Sequence, residues 1–337
     1  MVLRSVGSLV ARRPHVLTIA PATVDPALRL AVEAELGRRR WPVADSPADT
    51  DVVLVLGTPG PRLGGVVRAV WAGVPAPRVL TTVPTTGVVR SVLDDAAAAL
   101  VDPHGRKASL LSPDDSNDAL LPGGTGPEAQ MADLAFYDRD GLALDALHVA
   151  LGPVLPHWPA GLVVHATLAG DLITDARAEV LDVPASVGPG SRGRSPLGPD
   201  RTRLDILTRV FGLLGADHLA VRARRLRDQD PAPGDLTAFG RRLRRNRPLR
   251  WAVRGVPLVG GPVEERTLEQ RVANLAGGLG GSLAPPVRPT AEKAVGALVG
   301  LELGAARLAL AAMDPDTTLG AGPVAAHTPE EVTHQHH

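Results

Sequence analysis

The stretch Asp138–Ala176, DRDGLALDALHVALGPVLPHWPAGLVVHATLAGDLITDA, decides the reading of the second half of the chain. Gly152-Pro153, Pro156, Pro159 and Gly161 make a stiff loop. Two β-rich segments follow, Leu162–Leu168 and Leu172–Ala176, joined at Ala169-Gly170-Asp171. Alternating segments closed by a Gly-Asp turn predict a hairpin. A rigid Pro/Gly loop feeding a hairpin can hold a short segment at a ligand or partner surface. An ordinary hairpin with a stiff lead-in is the reading that pattern alone favours.

Upstream, residues 14–102 alternate strand and helix signals. His15–Ala20, Asp51–Leu56 and Arg78–Val83 read as strands, the second apolar enough to be buried on both faces. Asp25 stands where it can cap a helix carrying Leu28, Leu30, Val32 and Leu36. A second helix is expected around Gly65–Ala72. This βαβαβ order implies a parallel sheet covered by helices, with any ligand beyond the carboxyl ends of its strands. Those ends are Pro21–Val24, Gly57–Pro61 and Pro84–Gly87. Downstream, helices are expected over roughly 201–229, 233–247, 263–278 and 290–313. The organisation that results is an α/β domain with a short parallel sheet over residues 1–102 and a Pro/Gly/Ser/Asp-rich linker over 103–137. An α+β domain, a β-hairpin followed by a helical bundle, covers 138–320, and a disordered His-rich tail covers 321–337.

Composition narrows the function classes. The 337 residues carry 36 basic and 36 acidic side chains, so a dedicated nucleic-acid binder is not expected. There is no cysteine, which excludes disulfides, thiolate zinc sites, cysteine nucleophiles and cysteine-ligated iron–sulfur clusters. Residues 1–20 lack an apolar core with a small-residue cleavage site, so no secretory signal is expected. Ala294–Met313 is the nearest approach to a membrane span. Glu302, Arg307 and three glycines make a buried or surface-docked helix the better reading.

Candidate sites are sparse. His157 with Trp158 could meet a flat ligand by hydrogen bond and stacking, although a loop histidine in solvent or at a subunit contact is the plainer expectation. His148 beside Asp145 and Asp140 could relay a proton, or be a structural histidine next to a capping aspartate. Gly57–Gly65 sits at a helix start but lacks the phosphate-loop lysine and the dinucleotide glycine spacing, so it reads as a turn. Gly123–Gly126 reads as linker. Ten arginines against three acids between Arg222 and Arg250 suggest a solvated or subunit-facing cationic surface, with an anionic membrane or acidic partner as its alternative use. His334, His336 and His337 lack a second ligand cluster.

Two parts of the chain resemble subunits of respiratory complex I and the related membrane-bound hydrogenases. Pro14–Leu17, Ser46–Gly57, Arg68–Trp71 and Val74–Leu80 are similar to the scaffold of the small, cluster-bearing B subunit. The positions of its cysteine loops hold Ala22 and Thr23, and Pro84 and Thr85. Gly152-Pro153, Pro156, Gly161-Leu162, Leu168–Ile173 and Ala176 resemble the quinone loop and hairpin of the large D subunit. That subunit's head-group histidine falls on Leu155, with one residue more between Gly152 and Gly161 than the family has. His157 is out of register, and the lone tyrosine, Tyr137, precedes the match. The resemblance implies a fused member of the NADH–quinone oxidoreductase superfamily, whose chemistry involves NAD and quinone. The residues imply a redox-silent pseudoenzyme, a partner, assembly or regulatory subunit. It would keep at most a remnant quinone cleft around Leu155, His157, Trp158 and Tyr137, and no iron–sulfur cluster. Its expected partners are other subunits of such an assembly. Its expected place is cytoplasmic or peripheral on the inner face of the cell membrane. A stand-alone oxidoreductase or small-ligand binder using the inter-domain cleft is the alternative.

Overall fold

The computed structural model describes residues 13–101, 135–137, 143–183, 197–258, 265–281 and 283–318. The expectations for Gly123–Gly126, for most of the linker and for the His-rich tail lie outside the described residues, as do the side chains of Tyr137, Asp140 and Asp145.

The first half is built on β1 (Val16–Ile19), β2 (Val52–Leu56) and β3 (Val79–Val83), parallel and in the order β1-β2-β3. Strand β2 is VVLVL and every residue is buried. Side chains alternate between faces along a strand. Val52, Leu54 and Leu56 therefore pack with helices α1 (Pro26–Arg39) and α3 (Val89–Val101), while Val53 and Val55 pack with α2 (Pro61–Ala72). Asp25 caps α1 as expected, accepting from the Ala27 amide at 2.8 Å.

Helices on opposite faces need a reversal of direction in the sheet, because parallel crossovers are right-handed. Val43 supplies it: it bridges Val16 in parallel, on the side of β1 away from β2. The chain thus winds outward from β1 to Val43, then returns to β2 and proceeds to β3. The point of reversal lies between β1 and β2, where doubly wound sheets form their ligand crevice.

The second half opens with β4 (Ala135–Tyr137), β5 (Ala143–Leu151), β6 (Leu162–Ala169) and β7 (Leu172–Val180), an antiparallel sheet in chain order. The predicted hairpin is β6–β7, with a register shift between Thr167 and Leu168. Strand β7 runs four residues beyond the expected Ala176. Strand β5 replaces the turn and capping aspartate expected around His148. Accordingly, His148 Nδ1 bonds the Thr167 hydroxyl across the strands at 2.9 Å.

Helices α4 (Pro199–Leu213), α5 (Asp217–Asp228), α6 (Pro233–Arg245), α7 (Arg247–Ala252), α8 (Leu268–Gly277), α9 (Ala291–Gly296) and α10 (Leu303–Met313) complete the fold. Two expected long helices are therefore broken. The expected 201–229 helix divides at Gly215, and 290–313 divides at Gly300, both glycines having positive φ. The segment after Gly300 joins the edge of β7, with Ile173 N–H donating to Leu301 C=O at 2.9 Å. No helix among the described residues is long and apolar enough to cross a membrane.

Strand β6 explains how the halves meet. Leu162, Val164, Ala166 and Leu168 face the helical core, while Val163 lies in one apolar cluster with Leu17, Ile19 and Leu63 of the first half.

Candidate functional site, the seam between the two halves

The crevice between the ends of β1 and β2 is filled by the chain's own second half. Gly161, at the end of the Pro/Gly loop, backs directly onto Ala22; a Cβ at Gly161 would collide with the Ala22 amide and side chain. Ala22 is buried in the helical core cluster of the second half. On the other side of the crevice, Asp182 follows β7 and reaches the start of α2. Its carboxylate accepts from the Arg62 amide at 3.2 Å and the Leu63 amide at 2.8 Å. Helix N-termini attract anions through free amides and the helix dipole. Here the anion is intramolecular. Next to it, Arg62 and His165 share the buried carboxylate of Glu179, His165 Nε2 lying 2.6 Å from it. The Gly57–Gly65 turn was legible in the sequence; its occupant was not.

Charge locks the same seam at α1. Asp205 of α4 accepts from Arg29 at 2.6 and 3.2 Å and from Arg227 of α5 at 2.7 Å. Arg227, fully buried, also donates to Glu33 at 2.7 Å and to its neighbour Asp228 at 2.8 Å. Arg209 carries the network on to Asp314 at 2.7 Å, and Arg288 reaches Asp314 at 3.0 Å. Four arginines thus meet four carboxylates, with Arg29 and Glu33 supplied by the first half. Burial works against ionisation of Asp205, but Arg29, Arg209 and Arg227 outweigh it and hold the carboxyl well below the usual carboxylate range. The expectation of one solvated cationic surface from Arg222 to Arg250 is therefore corrected for Arg227, which is buried structure.

The loop 152–161 lies against this network. His157 has φ of 61°, and its ring packs over Gly212 of α4. Trp158 directs its indole N–H to Leu162 C=O at 2.7 Å, so that donor is satisfied within the loop. Leu155 is half-buried and has no polar side-chain atom to offer. Tyr137 lies on β4 at the sheet edge. Of the four residues expected at cluster-loop positions, Ala22 is buried in the seam, while Thr23, Pro84 and Thr85 are exposed. The structure therefore brings Ala22, Leu155, His157 and Trp158 to one region and leaves Pro84 and Thr85 at a separate strand end.

This donor set does not fit a cysteine-ligated cluster, since Ala22, Thr23, Pro84 and Thr85 have no thiolate. For a quinone head group, the described loop side chains leave His157 as the one polar group not already bonded. Among the described residues no group of three His, Asp or Glu side chains is placed to hold a metal ion. Burial also works against the charged form of His157 and lowers its pKa from 6.5; Glu33 opposes this, and Arg209, Arg224 and Arg307 reinforce it.

Stability should depend on pH through this residue. The native state resists protonating His157, whereas the unfolded chain takes up the proton near its ordinary pKa of 6.5. The unfolded state then binds more protons, so His157 costs stability as pH falls below that value. His157→Gln is expected to gain stability relative to the parent protein as pH falls from 7 to 5, with a slope of at most about 1.4 kcal/mol for each pH unit. Urea midpoints measured across that range check it; a constant difference would remove the assignment.

No protein-family model matches the chain, and no curated protein or solved structure is significantly similar to it.

Proposed function

We propose that this chain is a redox-silent, complex-I-like subunit, a partner, assembly or regulatory component of a membrane-bound oxidoreductase. One observation carries the reading: the crevice at the sheet's reversal point, the ordinary ligand position for this architecture, is closed by the chain's own Gly161 loop and Asp182. On this reading, the half that resembles the small subunit and the half that resembles the large one form a single body, and Ala22, which the resemblance aligns with a cluster loop, is buried between them. The thiol-free sequence supports the redox-silent part, because electrons cannot pass through a cysteine-held cluster without cysteine. What such a protein offers an assembly is a preformed surface rather than a reaction. The test is to tag the full chain in its native host and purify it from gently solubilised membranes. Co-purification with membrane-bound oxidoreductase subunits is expected; a purely soluble monomer would overturn the proposal.

A second reading has its own observation. Among the described residues Arg224 makes no ion pair, and Arg307 reaches only Pro156 C=O, at 3.4 Å. The Nε atoms of both are buried without a hydrogen-bond partner. Two uncompensated guanidiniums near His157 favour a small anionic ligand at the seam, held without thiols. Phosphate and short dicarboxylates raising the melting temperature of the parent protein, but not of Arg224→Gln/Arg307→Gln, would support this reading. Equal effects on both proteins would remove it.

A further inference from the structure

The exposed part of the basic run forms a surface of its own. From Arg241 to Arg254 the sequence carries seven arginines and no acid. All seven are exposed, on α6, α7 and the turn that follows. The inner sides of the helices are anchored by Leu236, Phe239, Leu243 and Leu249, so the arginines are held outward by a packed core. Arg250 pairs with Glu269 at 3.1 Å. The other six make no ion pair among the described residues. Like charges gathered without counter-ions repel one another, and the face is stabilised by any polyanion that covers it.

Two details select the polyanion. Ala238, Arg241, Arg242 and Arg245 recur at helical spacing and, with Asn246, line an open groove of about 520 Å³. Three guanidiniums around an open groove suit phosphate groups, which they bind in a planar, forked geometry. Beside them Trp251 is 79% exposed, whereas Trp41 and Trp71 are each 8% exposed. A solvent-facing tryptophan costs apolar hydration unless something covers it. An indole on an arginine-rich rim is the composition that sits at the headgroup level of a bilayer. Single-stranded nucleic acid would want several stacking rings, and this face has one.

We propose that the α6–α7 face docks the protein on anionic phospholipid, with Arg241, Arg242 and Arg245 taking headgroup phosphates and Trp251 lodging at the interface. This stands apart from the reading of the seam and shares no residue with it.

The test uses the full chain with vesicles of phosphatidylcholine alone or mixed with phosphatidylglycerol, near 0.1 M salt. Sedimentation is expected to show binding to the anionic vesicles only. Tryptophan emission should shift to the blue on binding, a signal dominated by the exposed Trp251. Arg241→Gln/Arg242→Gln/Arg245→Gln is expected to weaken binding roughly hundredfold, from about 1 kcal/mol per basic residue near a charged surface. Trp251→Ala should abolish the spectral shift. Circular dichroism verifies that both variants fold, which their exposed positions favour. Equal binding to both vesicle types, an unaffected triple variant, or a short RNA displacing the protein from the vesicles at equal concentration would each overturn the proposal.

Discussion

Asp205→Asn is expected to lower the free energy of unfolding by about 3–5 kcal/mol. The substitution preserves shape and removes one charge. Asp205 accepts from Arg29 of the first half and Arg227 of the second, and Arg209 stands 3.4 Å away. An amide cannot compensate three guanidiniums in a region of low dielectric, so four arginines would face three carboxylates, one positive charge in excess. The intact network need not be strongly stabilising, since desolvation offsets most of the Coulomb attraction. Its effect is specific: charges contributed by α1, α4 and α5 are satisfied together in only one docking of the halves. The surface pair Asp175–Arg177, at 3.5 Å and half exposed, serves as the contrast. Asp175→Asn should change stability by less than about 0.5 kcal/mol. Urea unfolding of both variants measures the difference, and equal small effects would contradict a charge-locked seam.

Gly161→Ala is expected to cost about 2–4 kcal/mol, from backbone strain together with overpacking. Gly161 has φ of 68°, a conformation that penalises any side chain. Its missing Cβ is also where the backbone of Ala22 passes. Gly170 separates the two causes. It has φ of 64° at the hairpin turn but open space around it. Gly170→Ala should cost only about 1–2 kcal/mol, the left-handed backbone penalty alone. The excess at Gly161 measures the contact between the Pro/Gly loop and the first half. Equal losses at both glycines would mean that the contact contributes nothing.

Local patterns made much of the fold legible. The continuous apolar run Val52–Leu56, the cap at Asp25 and the Gly170 turn each act within a few residues, and each stands as predicted. Strand β5 was hidden because its apolar residues do not alternate cleanly; Leu147 is exposed, and pairing with β6 gives the segment its shape. The roles of Asp182 and Arg227 depend on partners more than 100 residues away, which no local spacing encodes. For Arg227 one signal was present. It follows Ala220 and Ala223 by seven and four residues, on the face of α5 that is buried, while Arg222 and Arg225 point elsewhere. Reading that helical face apart from the charge run would have separated a structural arginine from the exposed ones. Val43, the residue that turns three strands into a doubly wound sheet, makes a single bridge and leaves no sequence pattern at all.

The central claim is that the second half closes the crevice of the first, making one body from two. Calorimetric unfolding of the intact chain tests this most directly, followed in parallel by tryptophan fluorescence. Trp41 and Trp71 report on the first half and Trp158 on the seam loop. A single transition, with calorimetric and van't Hoff enthalpies in agreement and fluorescence coincident with it, is the predicted result. Two resolved transitions, the first half melting apart from the second, would contradict it.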